Sequence, residues 1–370
     1  MANEDKSARY HRLRRRAAAA MATWRVVFLL GLMVSGGAAV LRDRLAAVAG
    51  PGLVPLVVTY VATLVLVYEV VRLPVAWYEG VVLERRYGLS TSGPGKWWTE
   101  QFQGAVLAAA GLAAAALVVS ALLRWSPDRW WIAAAAGCAL VLVLVVQLGP
   151  TWLLPLVHEL RPLPREALRS RLLALAARAR TPVLDVCEWR VGDRTRKANA
   201  ALVGAGRTRR ILVSDTLLAA HDDDEIEAVL AHELAHHVYG DIWTALAVEV
   251  GLLAAGCYLA DVALELAVAP FALDGKSDIA ALPLLALVGG AVTLALLPIS
   301  RAVSRAHERR ADRYALDLTG NAAAFISAMR RLAARNLAEE RPSRLVRLLF
   351  HTHPPFTDRI EAASRTTPRT

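Results

Sequence analysis

The stretch Ala231-His232-Glu233-Leu234-Ala235-His236-His237 decides how this sequence of 370 residues is interpreted. It contains the pattern His-Glu-x-x-His. Residues i and i+4 of a helix share one face, so His232 and His236 can bind one metal ion together. Glu233 lies beside that face, where its carboxylate can act on a metal-bound water molecule. The pattern alone is moderately specific, and its meaning depends on the rest of the chain.

The composition indicates a membrane protein. Hydrophobic residues make up 56% of the chain, and soluble globular domains are usually less apolar. Several apolar stretches are each about long enough to cross a bilayer as a helix, which takes roughly 20 residues. The six predicted spans are residues 26–41, 53–71, 102–123, 131–157, 243–267 and 279–299. The chain is therefore expected to be polytopic.

The charges of the connecting segments predict the orientation. Arg and Lys are concentrated in segments 1–25, 72–101 and 158–241, whereas the alternate loops are short and carry few. Because cytoplasmic loops carry an excess of basic residues, both termini and the large segment are expected to face the cytoplasm. The same loops explain the formal net charge of +10, and no nucleic-acid-binding module is visible. No nucleic-acid partner is therefore expected.

The chain has three cysteines and no Cys-x-x-Cys pair. This pattern indicates neither disulfides nor a Cys-based metal site.

These features divide the chain into five parts. They are a basic cytoplasmic tail (1–25), an N-terminal membrane region with four spans and the loop 72–101 (26–157), a cytoplasmic α+β segment (158–241), two further spans (242–300) and a C-terminal cytoplasmic helical segment (301–370). Within the α+β segment, periodicity predicts a helix at 164–180 and strands at 183–191, 197–203 and 209–213. Acidic residues from Asp222 onward suit a helix N-terminus and predict that the metal-binding motif lies on a helix ending near Tyr239.

A catalytic zinc site usually has three protein ligands, so His232 and His236 need a partner. The candidates on the expected cytoplasmic side are His221, His237, Glu308, Asp312, His351 and His353. His237 points about 100° around the helix from His236, and His221 is too close in sequence to fold back easily.

Glu308 is better placed, because two spans return the chain to the same side of the membrane. It lies on a helix predicted at 304–318 and stopped by Gly320, and Asp312 follows one turn later as a partner for a ligand histidine. An acidic residue among arginines can equally be a solvated helix face, so the residues alone leave Glu308 open.

Several further segments carry a family resemblance. They are Leu83-Glu84-Arg85-Arg86-Tyr87-Gly88-Leu89-Ser90, residues 150–156, Lys197-Ala198-Asn199-Ala200, residues 210–218, Ser304-Arg305-x-x-Glu308-x-x-Ala311-Asp312, and Thr352-His353-Pro354-Pro355 with Arg359-Ile360. In this order, over roughly residues 70–360, they resemble the M48 metallopeptidases, which are Ste24/CAAX-type integral membrane zinc proteases and their HtpX-like relatives.

The resemblance implies a mainly α fold: a polytopic membrane helical bundle enclosing a chamber, with about six spans, and a cytoplasmic zincin-like α+β metalloprotease domain. It also implies a role for each matching residue. One Zn²⁺ per chain would be bound by His232, His236 and Glu308, with Glu233 as general base, Asp312 orienting a ligand histidine and His353 stabilising the oxyanion. Asn199 and Ala200 would pair with substrate backbone as an edge strand, and Arg359 would bind near the substrate.

The expected activity is therefore that of an integral membrane zinc endopeptidase. Its partners would be the lipid bilayer and a membrane-associated or hydrophobic peptide or protein, in peptide maturation or quality control. The Ala/Arg/Leu bias suggests a bacterial plasma membrane.

Two alternatives stay open: processing of prenylated CAAX peptides, and a catalytically silent chamber of the same fold. Six spans instead of the seven of the eukaryotic CAAX proteases put prenylated substrates in doubt. An intramembrane protease is disfavoured because the motif lies outside the apolar spans, and a transporter because charges within the spans are scarce.

Overall fold

The computed structural model describes residues 2–50, 52–89, 93–149, 160–191, 199–204, 209–335, 339 and 342–366. Within them, six helices are long and apolar enough to cross a membrane, which confirms the predicted number of spans. They are Lys6–Val34, Leu53–Arg86, Pro94–Trp125, Trp130–Leu148, Asp241–Ala267 and Ile279–Thr319. The fold is therefore a mainly α, polytopic membrane protein with an α+β portion outside the spans.

The predicted basic tail is part of the first helix. Helix α1 is continuous over Ala2–Val34 and ends before Gly36, whose φ of +70° is left-handed, and α2 follows at Gly37–Ala49. The predicted span 26–41 therefore crosses a helix break. Tyr10 is buried against Leu83 and Tyr87, and its hydroxyl donates to Glu84. The tail packs against the membrane region instead of being solvated along its whole length.

The predicted loop 72–101 is mostly helical. Helix α3 (Leu53–Trp77) continues through a π-helical turn (Tyr78–Leu83) into α4 (Glu84–Arg86), and α5 begins at Pro94 and ends at Trp125. The charged residues of this segment mark where the helix leaves the membrane, not where it ends. Helix α6 is Trp130–Leu148, and the last part of the predicted span 131–157 lies outside the described residues.

A four-stranded sheet lies in the α+β portion. Its strands are β1 (Leu160–Pro162), β2 (Asp185–Trp189), β3 (Ala200–Val203) and β4 (Arg210–Ser214), and their order is β1-β2-β4-β3. β2 and β4 are parallel, and the other pairs are antiparallel. Because β3 is last in the strand order, it is an edge strand of the described sheet. Three strands were predicted from the sequence, whereas β1 was missed.

Three helices of the α+β portion pack against the sheet. They are α7 (Glu166–Arg178), the short α8 (Asp215–Leu218) and α9 (Asp223–Val238). Their shared core includes Leu172, Ile211, Leu230 and Phe325, all fully buried. Burying such side chains stabilises the fold by about 1.5–3 kcal/mol each and fixes α9 on the sheet.

The last two spans and the C-terminal helices complete the chain. They are α10 (Asp241–Ala267), a 3₁₀ turn (Ile279–Ala281), α11 (Leu282–Thr319), α12 (Ala322–Arg335), α13 (Arg344–Phe350) and α14 (Phe356–Thr366). The sixth span and the predicted helix 304–318 form one helix, α11, which has 38 residues and ends at Gly320 with φ +63°. Its length of about 57 Å exceeds the hydrocarbon core of about 30 Å. Its C-terminal part therefore stands outside the membrane, beside α9.

Candidate metal centre

Helix α9 places His232, Glu233 and His236 together. It begins with a capping box, in which the Asp222 side chain accepts from the backbone N–H of Glu225 and the Glu225 side chain accepts in return. Such a box stabilises a helix start by about 1 kcal/mol. The ring centroids of His232 and His236 lie 5.0 Å apart on one face.

Helix α11 brings Glu308 to both histidines. Glu308 Oε2 lies 3.2 Å from His232 Nε2, and Oε1 lies 3.5 Å from His236 Nε2. One ligand atom from each of the three residues can be chosen so that all lie within 4.8 Å of one another. These are the three residues expected from the sequence as a ligand set.

The arrangement fits a zinc ion. Tetrahedral zinc with bonds of about 2.0–2.1 Å separates its ligand atoms by about 3.3 Å, close to the two distances above. Glu308 is 5% exposed, and its Oε2 has no hydrogen bond of good geometry among the described residues. Two imidazole nitrogens and a carboxylate are a donor set of catalytic zinc sites.

Each histidine has a carboxylate behind it. His232 Nδ1 lies 2.9 Å from Asp312 Oδ1, and His236 Nδ1 lies 2.8 Å from Asp241 Oδ2. A hydrogen bond at Nδ1 fixes the tautomer and turns Nε2 toward the metal position. Asp312 was expected from its spacing to Glu308.

Asp241 was missed by the sequence analysis. It is the first residue of α10, beyond the helix that carries the motif, and Gly240 with φ +64° makes the turn between the two helices. The Gly-Asp pair directly after the motif helix is the signal that could have indicated it. The guanidinium of Arg310 also contacts this carboxylate and helps to hold it.

The structure places Arg359 differently from its expected role. Its guanidinium is 7% exposed and donates from Nε and Nη2 to the two oxygens of Asp312. Nη2 also lies 3.3 Å from His232 Nδ1. This buried, paired side chain does not fit the predicted contact with substrate. It holds Asp312, and through Asp312 it positions His232.

The C-terminal segment reaches the centre at His353. His353 Nδ1 lies 2.6 Å from Glu308 Oε2, and 61% of this side chain is exposed. Helix α11 holds the segment in place, since Ser304 Oγ donates to the Thr352 carbonyl at 2.9 Å and Arg305 Nη1 donates to the His351 carbonyl at 3.0 Å. His351 itself lies 3.9 Å from Glu339, and the described geometry brings neither His351 nor the buried His221 into the three-residue cluster.

Asn199 and Ala200 lie at the beginning of the edge strand β3. The backbone of Asn199 bonds to Ser214, with its N–H donating to Oγ at 2.9 Å and its carbonyl accepting from N at 3.0 Å. Because antiparallel partners alternate, the backbone groups of Ala200 and Leu202 point toward the free edge. The Leu202 carbonyl accepts from His237 Nε2 at 3.1 Å. His237, the residue after the motif, thereby ties the edge strand to the helix that carries the metal-binding histidines.

The carboxylates around the two histidines raise the pKa of both imidazoles. Burial lowers the pKa of His232, but the neighbouring carboxylates of Asp312 and Glu308 outweigh it and raise the pKa to about 9. Burial also opposes a higher pKa at His236, where the hydrogen bond with Glu308 wins and the pKa is raised. Burial raises the pKa of Glu233 against the opposing effect of the two histidines. Metal binding must therefore displace protons from the imidazoles.

Fold and site together define a membrane-embedded metalloprotease class. Residues 162–367 match the family model described as peptidase family M48, and residues 2–159 match the model described as CAAX prenyl protease N-terminal, five membrane helices. The chain belongs to peptidase family M48. Four of the six candidate spans lie in the N-terminal region, where α2, with 13 residues, is too short to count.

Known relatives of the chain are named as proteases. The chain is 31% identical over 312 residues to the uncharacterized metalloprotease YhfN of Bacillus subtilis, covering 83% of this chain and 73% of that protein. It is 26% identical to the probable CAAX prenyl protease 1 of Schizosaccharomyces pombe, covering 82% of this chain and 65% of that one. The protein is an integral membrane metalloprotease, and the metal that its family implies is typically zinc.

A solved structure supports the fold over nearly the whole chain. Ste24p of S. mikatae superposes with a TM-score of 0.86, covering 98% of this chain and 89% of that one at 21% sequence identity. At this identity the likeness establishes the fold alone.

Proposed function

We propose that the chain hydrolyses peptide bonds in membrane-associated or hydrophobic peptides, using one Zn²⁺ bound by His232, His236 and Glu308. The observation that carries this proposal is the convergence of their ligand atoms within 4.8 Å. The three residues come from two helices, and two spans lie between His236 and Glu308 in sequence. Peptidase family M48 implies a bound metal, and the cluster of His232, His236 and Glu308 fits zinc. The two observations therefore support each other.

The proposed chemistry follows from the residue types. When bound, zinc acidifies a water molecule and polarises the peptide carbonyl. Glu233, whose pKa burial raises, would accept the proton of the attacking water and deliver it to the leaving amine as the peptide C–N bond breaks. His353 is exposed beside Glu308 and would donate to the oxyanion of the substrate. Asp312 and Asp241 hold the two histidines in position.

The substrate would bind as an added strand on β3. The backbone N–H and C=O of Ala200 face the free edge and would pair with substrate backbone. Asn199 would contribute its exposed side chain, because its backbone is already bonded to Ser214. Main-chain pairing recognises an extended peptide with little dependence on its sequence.

The proposed orientation places the metal centre at the cytoplasmic face of a bacterial plasma membrane. This orientation goes with the division predicted from the sequence, namely a tail, four spans, an α+β segment, two spans and a C-terminal segment. The tail, the α+β segment and the C-terminal segment would then be cytoplasmic. Basic residues mark this side of the membrane, for example Arg301, Arg305 and Arg309 after the sixth span.

A second candidate is the processing of prenylated CAAX peptides. It is favoured by the match of residues 2–159 to the family model of the CAAX prenyl protease N-terminal region and by the similarity to the probable CAAX prenyl protease 1 of S. pombe. A catalytically silent chamber remains the third reading, although Glu233 and all three proposed ligands are present.

The proposal is tested with the purified protein, a set of fluorogenic peptides with and without a prenyl group, and the variant Glu233→Gln. We expect zinc-dependent cleavage by the wild type, retained zinc in the variant and cleavage reduced by at least about a hundredfold. Glu361→Gln, an exposed carboxylate on α14, serves as the matched control and should keep wild-type activity. Equal cleavage by wild type and Glu233→Gln would rule out the mechanism.

A further inference from the structure

A basic cavity of ≈ 470 Å³, here called the arginine cavity, lies between α11 and α13, outside the metal centre. Four arginines line it, Arg305, Arg309, Arg344 and Arg347, with Asp358 as the carboxylate. Arg347 Nη1 lies 3.5 Å from Asp358 Oδ2. Arg309 and Arg344 are exposed and form no ion pair with any described residue. The cavity therefore has an excess of positive charge that the described protein does not neutralise.

The arginine cavity lies at the level of the membrane surface. The apolar part of α11 ends at Ile299, and Arg305 follows six residues later, about 9 Å along the helix. The polar layer of one leaflet extends about 5–8 Å beyond the hydrocarbon. The backbone of Arg305 is thus at the outer edge of the headgroup layer. Arg309 lies about 15 Å along the helix from Ile299, and its long side chain can extend back toward the phosphate groups, where basic residues next to a span are favoured.

Helix α13 presents apolar side chains beside these arginines. Leu345 is 71% exposed, Leu348 is 40% exposed and Phe350 is 55% exposed. Arg305 Nη1 donates to the carbonyls of Arg347 and His351, each at 3.0 Å, and fixes the C-terminal end of α13 to α11. A helix with exposed leucines and arginines, held at this depth, is suited to lie in the membrane interface.

We propose that the arginine cavity binds the headgroup phosphate of an anionic phospholipid, with the acyl chains along Leu345 and Leu348. Guanidinium groups bind phosphate through paired, charge-assisted hydrogen bonds. Arg309 and Arg344 supply the free donors. A volume of ≈ 470 Å³ is within the range of small-molecule sites and has room for a phosphate with its glycerol.

Bound lipid would also steady the segment that carries His353. Pro354 and Pro355 line the same cavity, and His353, which precedes them, contacts Glu308. An occupied cavity therefore favours one position of His353 at the metal centre. This consequence rests on the proposed function, whereas lipid binding itself does not.

Native mass spectrometry of the detergent-purified full chain tests the binding, with titrations of phosphatidylglycerol and phosphatidylcholine that have the same acyl chains. The double variant R309Q/R344Q removes the two free cavity arginines. The control R313Q/R330Q removes two arginines outside the cavity that are also exposed and have no ion pair with described residues. We expect phosphatidylglycerol to bind at least about tenfold more weakly to the cavity variant, since each lost charge-assisted contact weakens binding by about that factor or more. The control should bind like the wild type.

Three results would overturn the lipid site: equal phosphatidylglycerol binding by both variants, equal binding of the two lipids by the wild type, or displacement of the lipid by millimolar inorganic phosphate, which would indicate a free-anion site. Both variants should unfold at the wild-type temperature. Peptide cleavage in nanodiscs with and without phosphatidylglycerol then tests the consequence for His353. Absence of cleavage in every lipid would contradict the proposed function and leave the binding result standing.

Discussion

At the scale of the residue, the orientation of each histidine of the metal centre is determined by the carboxylate that contacts its Nδ1 atom. Asp312 fixes His232 and is itself held by two hydrogen bonds from Arg359, and Asp241 fixes His236 and is held by Arg310. Each carboxylate is thus held between an imidazole and a guanidinium. The imidazoles are thereby oriented before a metal ion arrives.

Asp241→Asn is predicted to weaken zinc binding by about 10–100-fold, the usual cost of losing such a partner. The amide keeps the shape of the carboxylate but presents an N–H or a weaker acceptor to His236 Nδ1. Competition with a chromogenic chelator measures the affinity. Asp224→Asn, at an exposed aspartate that pairs with Arg171, provides the comparison. Unchanged zinc affinity in Asp241→Asn would show that this carboxylate does not support the metal site.

Local spacing decided which of these residues could be predicted from the sequence. His232 and His236 have helical spacing, as do Glu308 and Asp312, and this spacing is kept in the folded chain. The spacing alone left Glu308 open as a ligand, and the family resemblance made it the expected third one. Asp241 and Arg359 reach the site only because α9 turns into α10 at Gly240 and because α14 packs beside α11. Such contacts depend on tertiary structure, which no single window of sequence contains.

At the scale of the element, β3 connects the sheet to the metal helix. One side of the strand pairs with β4, and its outward Leu202 carbonyl bonds to His237 on α9. The free length available to a substrate is therefore centred on Ala200. Because His237 ties β3 to α9, this contact helps to fix the distance between the edge strand and His232 and His236.

His237→Leu is predicted to raise KM for peptide cleavage about fivefold with little change in kcat or zinc content. Loss of one neutral hydrogen bond costs about 1 kcal/mol and lets β3 move away from α9. His237→Gln, which keeps an N–H donor, should recover part of the difference. Steady-state kinetics and metal analysis measure both effects. A parallel loss of zinc would instead place His237 in the metal site.

Element ends were harder to predict than the elements themselves. The acidic residues from Asp222 onward predicted the start of α9, where the structure has a capping box, and apolar length predicted the six spans. Segment 72–101 was predicted as a loop but is mostly helical, and the helix predicted at 304–318 begins earlier, at Leu282. Both predictions placed an element end at the membrane surface, whereas hydrogen bonding along a helix continues across that surface. β1 has only three residues and exists through its pairing with β2.

At the scale of the whole molecule, the spans bring distant segments to one side of the membrane. Two crossings separate α9 from the outer part of α11, and Arg15 of α1 forms an ion pair with Glu339 at 2.6 Å. The metal centre, the N-terminal helix and the C-terminal helices therefore lie together. An even number of spans is what this arrangement requires.

Cysteine labelling in intact cells tests the proposed orientation. In a variant lacking Cys138, Cys187 and Cys257, an added cysteine at Asp128 should react with an impermeant maleimide. One at Arg313 should react only after the cells are opened. Both positions are exposed. The reverse pattern would place the metal centre outside the cytoplasm.

The assignment of Glu308 as the third zinc ligand is tested most directly by the zinc affinity of the Glu308→Ala variant, measured with the purified chain beside the wild type and Glu361→Ala. The wild type and the control should bind about one zinc per chain. Glu308→Ala should bind zinc at least about a hundredfold more weakly, because two imidazoles alone do not complete the site. Wild-type zinc affinity in Glu308→Ala would contradict the three-residue metal centre.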